Sequence, residues 1–265
     1  MRLKLTIAYV GTQFKGWQVQ AHAHYPRPRT VQAELEAVIS RIAGRPVCVH
    51  GSGRTDSGVH ADGQVAHVDV PDEKAGLDWL RAINGNLPDD VAVLDARPVS
   101  GDFHAQYGCL RKAYTYSLWL ERAFTPPRLR GFAWSVGPLD ITAMEAAAAH
   151  LVGRHDFASM QNAGTPMENT VRNIYALTCA PNPDPAWNGR LMHWRVEADG
   201  FLKQMVRNIM GLLVEVGRGR LTPADVPGII ASGDRGLAPA TAPAKGLSLT
   251  QVYYPADRPE EEILS

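Results

Sequence analysis

The sequence predicts an α+β protein built from two related halves. Three observations lead there: strand-like alternation at residues 3–9 and 64–70, apolar stripes at helical spacing over 31–42 and 201–216, and an order of elements that recurs after about residue 106. A chain of 265 residues with 45% hydrophobic content is long enough to bury a large core and to form two compact units.

Leu3, Leu5, Ile7 and Tyr9 alternate with Lys4, Thr6 and Ala8, the period of a half-buried strand. Val31, Leu35, Val38, Ile39 and Ile42 mark one face of a helix, with Thr30 as N-cap and Gly44 as its stop. A short apolar run at 47–50 enters a glycine-punctuated loop, and residues 64–70 alternate again, so the loop is expected between two strands. A second helix is predicted over 77–83, ahead of Asn84-Gly85 and Pro88. The second half reads as a strand at 112–120, a helix at 139–152 closed by Gly153, strands at 171–179 and 191–197, and a helix at 201–216. In that last helix Phe201, Leu202, Met205, Val206, Ile209, Leu212, Leu213 and Val216 form an apolar face opposite Lys203, Arg207, Asn208 and Glu215. Proline-rich stretches at 126–127, 181–185 and 238–245 are expected as loops, and a final strand at 247–254 is expected to close the sheet. The expected organisation is residues 1–106, residues 107–257 and an acidic tail at 258–265.

The 27 basic and 27 acidic residues cancel, which argues against a protein that coats nucleic acid and leaves room for a local basic surface. Arg111, Lys112, Arg122, Arg128 and Arg130 outnumber Glu121 in one segment, which fits either a solvated loop or a phosphate-tracking surface. No apolar run approaches the roughly 18 residues of a membrane span, and the first residues enter a strand pattern with no leader-like stretch, so a soluble cytoplasmic protein is expected. Cys48, Cys109 and Cys179 are odd in number and far apart, a pattern of buried reduced thiols instead of a disulfide framework or zinc site. There is no phosphate-binding Gly-x-x-x-x-Gly-Lys loop, no dinucleotide fingerprint and no His/Cys cluster at ligand spacing, so neither cofactor nor metal is expected.

The segment richest in chemistry runs Gly51-Ser52-Gly53-Arg54-Thr55-Asp56-Ser57-Gly58-Val59-His60-Ala61. Its glycines allow a ligand close to the main chain, and Arg54, two residues from Asp56, is placed to hold that carboxylate ionised. Such an acid can be a nucleophile, a general base, a metal ligand or simply the cap of a tight turn, and local spacing does not choose among them.

Gly53-Arg54-Thr55-Asp56-Ser57-Gly58-Val59-His60-Ala61 resembles the active-site signature of the tRNA pseudouridine synthase A family. Further blocks in the same order strengthen the likeness: Tyr9-Val10-Gly11-Thr12-Gln13-Phe14, Gly16-Trp17-Gln18, Asn86-Leu87-Pro88, Phe103-His104-Ala105, Tyr114-Thr115-Tyr116, Gly153-Arg154-His155-Asp156-Phe157, Gly200-Phe201-Leu202, Met205-Val206-Arg207-Asn208 and Ala242-Pro243-Ala244-Lys245-Gly246-Leu247. The resemblance implies two ferredoxin-like halves whose sheets join into one extended antiparallel sheet, helices on one side and the active cleft between the halves. It implies conversion of uridine to pseudouridine at positions 38, 39 and 40 of the tRNA anticodon arm, without a cofactor, by a homodimer that binds tRNA across both subunits. Asp56 is implied as catalytic nucleophile and Arg54 as the side chain that fills the place of the flipped-out base. Tyr114 is implied to pack on the uracil, Arg207 to stand against the aspartate, and Leu202 to form an apolar wall.

Read from pattern alone, Tyr114 with Tyr116, Leu118 and Leu120 is one packed face of a strand, Arg207 lies on a solvated stripe, and His60 and His155 are structural. Departures from the family pattern are Gln106, where Arg often follows Phe-His-Ala, Met160, where an aromatic is common, and an insertion-like stretch at 22–29. The rival readings are a synthase of the same fold aimed at another RNA and a non-catalytic RNA-binding module.

Overall fold

The computed structural model describes residues 1–20, 28–162 and 169–255. Most of the 22–29 stretch and the whole 258–265 tail lie outside the described residues. In chain order the elements are β1 (Arg2–Tyr9), α1 (Val31–Ala43), β2 (Val49–Gly51), β3 (His60–Asp69), α2 (Trp79–Asn84), β4 (Val91–Val99), β5 (Arg111–Trp119), β6 (Trp134–Ser135), α3 (Ile141–Ala149), β7 (Gly153–Asp156), β8 (Val171–Pro181), β9 (Leu191–Ala198), α4 (Met205–Gly217), α5 (Val226–Ala231) and β10 (Leu247–Tyr253). Short 3-10 turns connect several of them. Backbone contacts divide the chain into unit 1, Met1–Leu110 with the residues from Leu249 on, and unit 2, Arg111–Ser248. The chain thus returns to unit 1 within β10, where two contiguous halves, 1–106 and 107–257, were expected.

Unit 1 runs β1-α1-β2-β3-α2-β4, and its sheet order is β4-β1-β3, with β2 paired to the later part of β3 and β10 also beside β3. This βαββαβ arrangement is ferredoxin-like. Antiparallel registers place Leu5 opposite both Ala66 and Ala96. The α1 caps are those the sequence announces: the Thr30 hydroxyl accepts from the Ala33 N–H at 3.3 Å, and Gly44 ends the helix in the left-handed region. Val31, Leu35, Val38 and Ile39 form its buried face. The alternation expected at 64–70 is not a pattern of burial, since Val65, Ala66, His67 and Val68 are all buried. β3 lies inside the sheet, where both faces are covered. On the other face of β1, even Lys4 is 7% exposed, its ammonium 4.4 Å from the Tyr254 ring centre. β4 escapes the sequence reading because it is an edge strand whose second half carries Asp95, Arg97 and Pro98.

Unit 2 repeats the opening as β5-α3-β8-β9-α4, and its sheet order is β5-β9-β8-β7, antiparallel apart from the short β6 alongside β5. Alanines let α3 pack closely on α4, with Met144, Ala147 and Ala148 buried. α4 begins at Met205 and not at 201. Gln204 adopts φ 61°, which no helix tolerates, so Phe201 and Leu202 sit in the preceding turn despite their helical spacing. β6, β7 and α5 were not expected from the sequence; each is only two to six residues long and carries too little periodic signal. Among the described residues no disulfide joins the cysteines, and none of the three is buried, Cys48 being exposed just before β2.

Candidate active site

The Asp56 loop joins β2 to β3 in unit 1 and is held at both ends and in the middle. At its start the Ser52 N–H donates to Val65 O at 2.7 Å and the Ser52 hydroxyl donates to Gln64 Oε1 at 2.7 Å. Gln64, fully buried, returns a hydrogen bond from Nε2 to Gly53 O at 3.0 Å. In the middle, buried Thr55 places its hydroxyl 2.7 Å from the Tyr9 phenol, and its carbonyl accepts from the Trp17 N–H at 3.1 Å. Burial raises the Tyr9 pKa well above its ordinary value, so this contact stays neutral. At the far side Gly58 N–H and the Ser57 hydroxyl both donate to Phe14 O, and the Val59 N–H closes a turn onto Asp56 O at 3.1 Å.

The partner of this loop is therefore the segment 9–17, and two glycines make the fit possible. A Cβ on Gly11 would stand 1.9 Å from Val59 O; one on Gly16, at φ +92°, would stand 2.7 Å from Thr55 O. Gly11 N–H also donates to His60 Nδ1 at 3.1 Å, so His60 is a buried structural group. Two motifs separated by about forty residues in sequence are one assembly in space.

Within the loop, Thr55 points inward, Arg54 is exposed and Asp56 is half-buried. Among the described residues Arg54 has no ion pair, so the Arg54–Asp56 pairing suggested by their spacing is not what fixes the acid. Alternate residues of an extended segment point apart, and Thr55 has taken the inward direction. With the loop backbone held in this way, the exposed Arg54 guanidinium can meet a substrate without rearrangement of the loop.

Tyr114, Leu202 and Arg207 belong to unit 2. Tyr114 on β5 is 8% exposed and meets Phe201 edge-on, ring centres 5.1 Å apart at 87°. Leu202 is buried in the turn before α4, its carbonyl accepting from the Met205 N–H. Phe201 thus brings the Tyr114 ring and the start of α4 together, a contact the sequence does not announce.

Arg207 is not on a solvated stripe. Its Nε donates to Ala242 O at 2.8 Å, while its own carbonyl accepts from the Ala242 N–H at 3.1 Å. The Tyr116 hydroxyl donates to the next carbonyl, Pro243 O, at 2.7 Å; burial raises that phenol's pKa and the Arg207 charge opposes the rise. Asn208, expected on the polar face, is fully buried because the 235–243 segment covers that side of α4. It donates to Met160 O and Asn162 Oδ1, and accepts from Thr241 Oγ1 at 2.7 Å and Arg235 Nη2 at 3.1 Å. Arg235 also donates to Ala238 O, Pro239 O and Asn162 Oδ1. Arg235 and Asn208 were missed as supporting residues; the signal was a lone Asn inside an apolar helix, which demands partners once covered. Among the described residues no group of three or more His, Cys, Asp or Glu is placed to hold a metal ion, and no helix is long and apolar enough to cross a membrane.

The sequence model of the family described as tRNA pseudouridine synthase matches residues 5–108 and 147–255. The chain is 54% identical to tRNA pseudouridine synthase A of Nitratidesulfovibrio vulgaris (strain Hildenborough), across 96% of this chain and 97% of that one. It is 52% identical to the protein of that name from Oleidesulfovibrio alaskensis, across 96% of each chain. With the Geobacillus kaustophilus relative of the same name it shares 41% identity over 96% of this chain and 94% of that one. The chain belongs to the tRNA pseudouridine synthase family.

Proposed function

We propose that the protein isomerises uridine to pseudouridine in tRNA, at positions 38, 39 and 40 of the anticodon arm. The observation that carries this reading is the Gly53–Ala61 signature in a family member, with its Asp56 carboxylate on a loop locked by Thr55 and Gln64. The reaction breaks the bond between ribose C1′ and uracil N1, turns the base and forms a C1′–C5 bond, while a proton leaves C5 and one is gained at N1. Bonds made and broken balance, so neither electron nor phosphoryl transfer is needed, and the enzyme works without a cofactor.

Asp56 is the nucleophile that takes part in cleaving the glycosidic bond. Arg54, exposed beside it, fills the stack that the flipped nucleotide leaves, offsetting an unstacking cost of a few kcal/mol. The Tyr114 ring packs on the uracil, a contact worth about 1–3 kcal/mol per base. Leu202 supplies an apolar wall that keeps the detached base from leaving, and Arg207 supplies a fixed positive charge for the substrate. The protein acts in the cytoplasm as a homodimer. Mapping pseudouridines in tRNA and rRNA from cells with and without the gene tests activity and address together: loss confined to positions 38–40 supports the reading, loss only in another RNA replaces it, and no change removes it. Light scattering that finds a fully active monomer removes the homodimer.

A further inference from the structure

A surface of unit 2 carries cations that the reaction does not use. Residues 120–133 leave the end of β5 and return to β6, within the stretch 109–146 that the family match omits. They rest on a small core of their own, in which Trp119, Leu129, Ala133 and Leu191 are buried and Trp187 packs against them. Backbone and side-chain bonds tie the loop to that base: Trp119 Nε1 donates to Phe124 O at 2.7 Å, Leu120 N–H to Arg190 O at 2.8 Å, and the Ser135 hydroxyl to Glu121 O at 2.9 Å. Pro126 and Pro127 begin a single 3-10 turn that ends at buried Leu129. The loop has a set shape, so what it displays is displayed at little further entropic cost.

It displays arginines. Arg122, Arg128 and Arg130 are exposed, and Arg190 joins them from the turn before β9. Arg128 lies 4.1 Å over the Trp187 ring and 3.5 Å from Asp184. Among the described residues Arg122, Arg130 and Arg190 have no carboxylate in salt-bridge contact. Phe124 and Phe132, 50% and 45% exposed, stand among them. The acids nearby are Asp184 and Glu121, and the latter turns its carboxylate onto the N–H groups of Arg122 and Ala123. In a chain of zero formal net charge, three guanidiniums and two exposed rings on one built loop, with Arg190 from the neighbouring turn, are a concentration of phosphate-binding and stacking chemistry.

We propose that this surface is a second contact for the tRNA substrate, the four guanidiniums neutralising backbone phosphates and Phe124 and Phe132 meeting ribose or base faces. The identity of the partner rests on the function proposed above. Tyr114 and Trp119 are five residues apart on β5, roughly 16 Å at about 3.3 Å per residue, so the surface contacts nucleotides other than the one that reacts. Its effect is on affinity and placement, not on the bond-breaking step.

The test compares wild type with a variant carrying Arg122→Gln, Arg128→Gln, Arg130→Gln and Arg190→Gln. Binding of an unmodified tRNA transcript is measured from low to physiological salt, and single-turnover isomerisation is measured at saturating enzyme. Each phosphate contact removed lowers the slope of log affinity against log salt by about 0.7–0.9, so a slope smaller by about 2–4 and affinity weaker by tenfold or more are expected at low salt. The saturated rate should stay within about twofold of wild type. The pair Arg130→Gln and Arg190→Gln, neither of which packs on a ring, should lower the slope by about 1–2 and serves if the quadruple variant folds poorly. Unchanged slope and affinity in both variants overturn the proposal. A fall in oligomer mass by light scattering with the slope unchanged assigns the surface to a second copy of the chain and overturns it too. Because binding is read without turnover, failure here is distinguishable from failure of Asp56 as the catalytic group.

Discussion

The Asp56 loop of unit 1 and the Arg207 site of unit 2 reach fixed geometry by opposite routes. The loop is held by short-range turn chemistry and by one neighbouring segment, with neutral hydrogen bonds from Tyr9, Ser52 and Gln64. Arg207 is held by the distant Ala242, and Asn208 beside it by a cation, Arg235, whose bonds all go to neutral oxygens. A neutral, locally closed loop tolerates loss of one bond. A covered network around a guanidinium leaves buried polar atoms stranded when one member goes.

The largest expected effect isolates the loop's chemistry from its shape. Asp56→Asn should abolish turnover, by about a thousandfold or more, while tRNA affinity stays within a few-fold, because the amide keeps the shape and loses the charge. A quantitative product assay on protein checked for deamidation decides it; substantial residual turnover means that Asp56 is not the nucleophile.

Next comes the covered network. Asn208→Ala should destabilise the protein by about 2–3 kcal/mol, since it removes two donated and two accepted bonds at a fully buried position. Urea unfolding measures the loss. A change under about 0.5 kcal/mol would mean that water replaces the side chain and that the contrast between the two sites does not hold.

The third concerns acid. His67, 3% exposed, has its pKa lowered to about 4, first by burial and then by the His104, Arg2 and His50 charges. The folded state therefore prefers neutral His67, and its stabilisation is complete above the unfolded value near 6.5 and is lost as pH falls toward about 4. Stability should drop by about 1–3 kcal/mol across that window, and His67→Gln should flatten the drop. Chemical denaturation at stepped pH tests this; an unchanged slope in the variant assigns the acid sensitivity elsewhere.

The smallest effect probes the loop's anchor. Tyr9→Phe removes one buried bond to Thr55 and should cost about 1 kcal/mol with turnover reduced less than tenfold, because Trp17 N–H and Gln64 still hold the loop. A loss of activity as deep as that of Asp56→Asn would make Tyr9 part of the chemistry and not of the frame.

What sequence alone determined were features whose cause is local. Thr30 and Gly44 set the limits of α1, alternation marked β1, and the glycines of 51–58 marked a loop between strands, because caps, pleats and turns depend on residues a few positions apart. The family signature on that loop was legible for the same reason. Tertiary structure decided whatever depends on which segment covers which. Lys4 and His67 are buried because rings and strands cover a face that alternation assigns to water. Asn208 is interior because residues 235–243 lie over α4, and Phe201 leaves the helix because Gln204 turns left-handed. Side-chain periodicity records only what an element wants to bury; burial itself is settled by chain that arrives from tens of residues away.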